Sequence, residues 1–403
     1  MAKTLHFANR SADQAAGVTR YNKAAITTEV NEASEVLAQI SSRVSGTFSN
    51  LYVKVLTNDR AASTVRFRVN GANGNQVITV TGSTTGEFED TSNTDAVVSG
   101  DEFNFSTVVG SGGTTFIIIT YGVLFDGPGT YAWYENLGPG ISTNSVTEYI
   151  GIGGLSNLGA TESAKQLRFK TAGTLSGLHV YVETNGRTTD TVFRSRNNAA
   201  NGNQIVTVAG STTGYLVDNT NTDAVAVDDL VNLSVTTLTG GGTLAATVCG
   251  ASFETTNNTQ QLMTVSFAGA SVAAALTRYI PIAGRFDTSA TESDYRWDAN
   301  LAATASKMEI HISANTVTAD STLRLRIDGA NGNQVATITA STTGRFADAS
   351  NTDAITAANE INYSLVTGAT GTSLTIESVT MLLETAAAAA SNARRFLLLG
   401  VGI

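Results

Sequence analysis

Asn73-Gly74-Asn75-Gln76, leading into Val77-Ile78-Thr79-Val80, returns as Asn201-Gly202-Asn203-Gln204 and again as Asn331-Gly332-Asn333-Gln334. The steps are 128 residues (73 to 201) and 130 residues (201 to 331). Ser83-Thr84-Thr85-Gly86 recurs at 211–214 and 341–344, and Asn93-Thr94-Asp95 at 221–223 and 351–353, with the same internal spacing. Thr19-Arg20-Tyr21 has counterparts in Thr147-Glu148-Tyr149 and Thr277-Arg278-Tyr279. A period this long exceeds the roughly 20–50 residues of solenoid units, so a whole domain is triplicated. The expected domains are 1–134, 135–267 and 268–403.

Each copy reads as strands. Leu51-Tyr52-Val53-Lys54-Val55 and Val65-Arg66-Phe67-Arg68-Val69 alternate with period two, and Phe116-Ile117-Ile118-Ile119-Thr120-Tyr121 is an apolar run of strand length. Val, Ile, Thr and aromatics in that pattern mark half-buried strands. The repeated Asn-Gly of Asn73-Gly74 falls between two such runs and predicts a hairpin turn there. Glu384-Thr385 followed by 386–390 reads equally as a short helix or a loop. The fold class is therefore all-β: three tandem antiparallel β-sandwich domains, read as jelly rolls, with an immunoglobulin-type sandwich as the rival.

Apolar stretches precede each Tyr landmark: Leu5-His6-Phe7, Tyr131-Ala132-Trp133-Tyr134 and Leu262 to Phe267, with Phe396 to Ile403 as a fourth copy. One reading is that this strand finishes one domain and leads directly into the next. Linkers are then short, and the domains pack in a compact pseudo-threefold arrangement rather than as three beads in a line.

Composition bounds the function. The 403 residues include 24 Lys+Arg against 34 Asp+Glu, a formal net charge of -10, so neither nucleic acid nor an anionic membrane is expected as a partner. A single Cys excludes a disulfide framework, and 42% hydrophobic residues suffice for packed cores. The opening Met1 to Arg10 lacks the apolar run of a signal peptide, so synthesis in a cytoplasm without export is expected.

Chemistry-bearing motifs are sparse. His6, His179 and His311 occupy unlike repeat positions, and Cys249 lies in an apolar stretch of one copy. No zinc ligand spacing, nucleophile elbow or phosphate loop is visible, so no catalytic residue, cofactor or metal is expected. Asp90, Asn93 and Asp95 recur in all copies; Asx turns explain them, and calcium is the alternative. Asn104, Asn232 and Asn362 recur on an outward strand face. Tyr131, Trp133, Tyr134, Tyr295 and Trp297 fit either junction packing or stacking on sugar rings.

The repeated polar feature singled out is the pair Arg66/Arg68, matched by Arg194/Arg196 and Arg324/Arg326. Residues i and i+2 share one strand face, opposite the core side chains. These six guanidinium groups are the candidate interface, placed to clasp carboxylates of neighbouring domains or chains.

An alternating strand, an Asn-Gly turn, a Thr-rich strand, Ser-Thr-Thr-Gly, Asn-Thr-Asp and then Ser99-Gly100-Asp101 together resemble the repeated jelly-roll modules of bacteriophage virion proteins. The pattern is also similar to C1q/TNF-like sandwiches. It covers about the last two-thirds of each repeat and lacks a collagen-like or coiled-coil stalk. The resemblance implies a non-enzymatic virion structural protein, a compact capsid-decorating or tail-associated component. Such a protein is made in the host cytoplasm, resides in the virion, and has other virion proteins or itself as partners. The alternative is a host-receptor or glycan-binding module of a tail fibre or spike.

Overall fold

The computed structural model describes residues 2–9, 13–25, 27–28, 31–137, 140–142, 144–153, 158–285 and 288–386. The expected helix-or-loop at 386–390, beyond its first residue, and the fourth apolar copy at 396–403 lie outside these.

Alternation sets the sandwich. In Ser63–Val69, Val65 and Phe67 are fully buried while Arg66 and Arg68 face outward, half-buried. The first domain has eight principal strands: Ala2–Asn9, Thr19–Asn22, Gly46–Asn58, Ser63–Val69, Ala72–Val80, Gly86–Val97, Glu102–Val108 and Phe116–Gly127. Numbered in that order, one sheet runs first–eighth–third–sixth and the facing sheet second–seventh–fourth–fifth. This is the jelly-roll order, two interleaved Greek keys, and it excludes the immunoglobulin rival. The second and third domains repeat it strand for strand; in the second, the sixth strand is split into Gly214–Val217 and Thr222–Val225.

The opening strands correct the expected boundaries. Tyr131–Leu137 pairs with Leu244–Thr255, and Gln260–Ala273 pairs with Gly371–Thr385. The three described apolar stretches therefore open a domain rather than finish one, and the expected boundaries at 134 and 267 fall inside these strands. The connection is nonetheless immediate, since Phe116–Gly127 of the first domain is followed at once by Tyr131.

The turn expected at Asn73-Gly74 lies three residues earlier. Asn70 and Gly71 have φ of 51° and 73°, Asn198 and Ala199 50° and 63°, Asp328 and Gly329 50° and 75°. Two consecutive left-handed residues form the two-residue hairpin loop that suits strand twist. Asn73-Gly74 sits inside the fifth strand, at a bulge where the register against the fourth shifts between Arg66 and Arg68. Ala199 alone of the three second positions is not glycine, and a Cβ in that conformation is strained. Ala199→Gly is expected to raise stability by about 1 kcal/mol, read by denaturant unfolding.

The repeated Asn-Gly-Asn-Gln instead ties the two sheets together. The third strand carries a left-handed residue at one position in every copy: Asn50 (φ 53°), Gly177 (φ 61°) and Lys307 (φ 56°). The next backbone N–H, of Leu51, Leu178 or Met308, leaves the ladder and donates to the side-chain oxygen of Gln76, Gln204 or Gln334 at 2.9, 2.8 and 3.1 Å. All three glutamines are fully buried. Asp95, Asp223 and Asp353 accept the backbone N–H of the preceding Asn at 2.6 Å in each copy. The glycine is needed because a Cβ on Gly74 would sit 2.6 Å from an Asp95 oxygen.

Asp90, Asp218 and Asp348 serve the neighbouring turn. Asp348 accepts the backbone N–H groups of Val335, Ser350 and Asn351 and the Asn351 amide. Burial pushes its pKa up, but these donors outweigh it and hold it at about 2. These repeated carboxylates are thus occupied by N–H donors, as the Asx-turn reading expects.

Candidate interface residues and the joints between domains

The six arginines divide into two sets. Arg68, Arg196 and Arg326 are turned back on their own domains. One helical turn after the second strand presents Glu35, Glu162 or Glu292. Each carboxylate takes its arginine side-on through two bonds: Nη2 to Oε2 is 2.9, 3.0 and 2.9 Å, and Nε bonds Oε1. The guanidinium also lies 5.6–5.9 Å from the ring centre of Tyr21, Tyr149 or Tyr279, the landmark tyrosines. The bidentate bond and the opposite charges raise Arg326 and lower Glu292 from their ordinary pKa values, against the opposing effect of burial. These arginines fasten the loop after the second strand over the sheet, so they are not free to clasp a neighbour.

Arg66, Arg194 and Arg324 remain. Among the described residues their side chains make no hydrogen bond or ion pair. In the second domain Arg194 lines an open groove of about 430 Å³ with Thr147, Tyr149, Val192, Ser234 and Thr236. Asn104, Asn232 and Asn362 lie opposite Arg68, Arg196 and Arg326 on the seventh strand and are fully buried, so they are packing positions. Trp133, Tyr134, Tyr295 and Trp297 are buried too, which leaves no ring face of theirs for a sugar.

The domains meet through a different repeated position that the sequence reading passed over. The cross-strand pairs Lys54/Glu87, Tyr181/Tyr215 and His311/Arg345 are equivalent, each joining third and sixth strands. Each faces the segment after the second strand of another domain. Lys54 Nζ donates to the Arg296 carbonyl at 2.8 Å, joining the first domain to the third. Arg345 donates to the Gln166 carbonyl at 2.7 Å, joining the third to the second. Arg43 donates to the Tyr215 hydroxyl at 3.1 Å and to Asn219, joining the second to the first. Head-to-tail contacts that return to the start make a closed ring. The expected compact pseudo-threefold arrangement is therefore what the contacts build.

The three joints share a position and differ in chemistry. At the third–second joint, Glu309 is 2% exposed and faces Lys170 at 2.6 Å, Arg345 at 3.0 Å and Arg168 at 3.4 Å. Burial and the charges of Arg345 and Arg168 lower the nearby His311 to about 3, so its imidazole is neutral. At the first–third joint, Lys54 lies among carboxylates, 2.8 Å from Glu87 and 3.4 Å from Glu360. At the second–first joint, one cation, Arg43, meets neutral acceptors, and His179 stacks on Tyr215 at 5.5 Å. Each face is matched to its own receiver: on the receiving segment of the third domain, Glu309 would lose Lys170 and meet the carboxylates of Asp298 and Glu360.

No protein-family model matches the sequence, and no curated protein does. Among solved structures, the chain is similar to a protein from "The Triple Jelly Roll Fold and Turret Assembly in an Archaeal Virus". Identity is 14% and the TM-score 0.19, over 86% of this chain and 82% of that one. A second, from "Life in the extremes: atomic structure of Sulfolobus Turreted Icosahedral Virus", is 13% identical at a TM-score of 0.18, over 87% and 83%. Both are proteins of archaeal viruses, whereas the sequence resemblance pointed to bacteriophages. Similarity at that level carries no argument, and the jelly-roll assignment rests on the strand order in each domain.

Proposed function

We propose that this chain is a non-enzymatic structural component of a virion: a compact three-domain block that decorates a capsid or associates with a tail. It assembles through the outer faces of its sandwiches with other virion proteins or with further copies of itself. The observation that carries this reading is the unpaired guanidinium at one position per domain, Arg66, Arg194 and Arg324, on a face turned away from the core. In a chain with ten more acidic than basic residues, these three cations have no carboxylate partner among the described residues. Three such groups around a pseudo-threefold ring suit a partner that offers carboxylates at matching places. The resemblance of the repeat to virion modules supports the same reading, and in it residence in the virion follows from assembly.

The test is incorporation. The variant with Arg66→Ala, Arg194→Ala and Arg324→Ala is expected to enter particles several-fold less efficiently while its circular dichroism matches the parent. Unchanged incorporation would remove the arginines from the interface. Selective, saturable capture of one glycan by the purified chain, with no particle association, would replace the structural role with the receptor-binding one.

A further inference from the structure

The joint between the first and third domains brings three carboxylates to one point. Glu87 comes from the sixth strand of the first domain. Asp298 ends the short strand Trp297–Asp298 of the third, and Glu360 opens its seventh strand. Oxygens of all three lie within 4.8 Å of one another. Two cations face them. Lys54 bonds Glu87 and Glu360, and Arg296 reaches Glu360 at 3.3 Å. Arg296 also contacts Glu292 at 3.4 Å, but Glu292 already holds Arg326. Tyr52, buried, stands on the same strand face as Lys54, and its phenol is pushed up by burial and stays neutral. Glu89, opposite Tyr52, is exposed to water. Asp328 is spent on the backbone N–H of Glu360 and on Asn359.

The charges therefore do not close. Lys54 and Arg296 compensate two of the three carboxylates, and Lys54 already fills the place a metal ion would take. Two carboxylates this close, Asp298 half-buried in the joint, share a proton between them. Burial first, then the charge of Glu87, raises Asp298 to about 7. Burial opposes ionisation of Glu87 too, but the Lys54 ammonium outweighs it and holds Glu87 low. The proton thus sits on Asp298, whose O–H donates to the Glu87 carboxylate. At the third–second joint Glu309 is surrounded by cations instead. At the second–first joint Glu32 is raised by burial and by Glu183 across the joint, but Lys23 and Arg20 oppose that rise, and no three carboxylates converge there among the described residues.

We propose that the first–third joint is a proton-operated clasp, in which one proton bridging Asp298 and Glu87 holds the ring closed and its release to water loosens this joint ahead of the other two. The sign follows from linkage. When the joint opens, Asp298 returns to water and to an ordinary carboxyl pKa of about 4, so opening releases a proton at every pH between about 4 and 7. The opening equilibrium rises about tenfold per pH unit across that window and levels off above it.

The experiment uses the full chain. Backbone amide exchange of 52–54 and 296–298, corrected for intrinsic rate, is followed from about pH 5 to about pH 9, beside the carboxyl carbon resonance of Asp298. Protection at this joint is expected to fall about tenfold per unit from about pH 5 to about pH 7 and then level, while 166–170 at the third–second joint stays flat. The Asp298 carboxyl is expected to titrate near neutrality. Asp298→Asn, whose amide donates to Glu87 at any pH, is expected to abolish the slope. If that variant does not fold, Glu87→Gln removes the same charge pair and carries the same expectation. Protection that does not vary with pH, an Asp298 carboxyl titrating near 4, or a slope that survives either substitution would overturn the clasp.

Discussion

Replacing Glu309 with alanine is expected to cost the folded chain about 3–5 kcal/mol, the loss that follows removal of one partner from a buried ion pair. The carboxylate is almost wholly excluded from water and takes Lys170 on one oxygen and Arg345 on the other, with Arg168 beside them. Deleting it leaves three cations around an empty space. Lys170 is itself buried, with only a more distant contact, at 3.4 Å, to the largely exposed Asp228. The Lys170 carbonyl is also held across the joint by Lys307. The damage should be local to the third–second joint. Thermal unfolding is expected to separate into more than one transition, because the ring loses the contact that couples two of its domains. A double-mutant cycle with Lys170→Ala isolates the pair, and a coupling above about 1 kcal/mol is expected. A single transition with the parent midpoint would mean that the joint is held by backbone contacts alone.

How much of this was legible beforehand depends on which residues carry it. Triplication could be read directly, because Asn-Gly-Asn-Gln and Asn-Thr-Asp serve hydrogen bonds inside each copy and cannot drift without breaking them. The alternation in Val65–Val69 gave the strands and the outward arginines. What it could not give was the tertiary use of those arginines. Glu35, Glu162 and Glu292 stand 33, 34 and 34 residues before Arg68, Arg196 and Arg326, after a Ser or Thr in each copy. That recurrence is a readable signal, but the glutamate lies in a single helical turn, too short for periodicity to show. The joints were invisible for the opposite reason. Their positions hold Tyr52, His179 and Glu309, and Glu87, Tyr215 and Arg345, so residues doing the same job do not look alike. A search for repeated residues discards them, because a covalently joined ring needs three different interfaces where a homotrimer needs one. The hairpin turn was misplaced by three residues because two Asn-Gly pairs lie close together, and only the φ values tell the turn from the bulge.

Trp133→Ala is expected to destabilise the first domain by about 3–5 kcal/mol although the residue belongs, by backbone pairing, to the second. Its strand, Tyr131–Leu137, is hydrogen-bonded to Leu244–Thr255, and alternation sends Ala132 and Tyr134 into the core shared by the second and third domains. Trp133 points the other way, into the first core. Its ring lies 5.1 Å from Phe125 and 5.2 Å from Phe103, both edge-on, and 6.2 Å from Phe48. It is 1% exposed, so truncation opens a cavity among rings that cannot collapse without leaving their own contacts. Limited proteolysis with mass mapping checks where the effect falls: new cleavages should appear within 46–127 while the second and third domains stay resistant. Trp133→Phe, which keeps a ring in the slot, is expected to lose less than half as much. Cleavage confined to the second domain would show that the strand serves only the sheet it pairs with. The expected result instead makes the opening strand of one jelly roll the closing wedge of the one before it. That is how three sandwiches with a linker of only a few residues hold one arrangement, and why severing the chain near 128–130 should weaken the ring less than removing this one side chain.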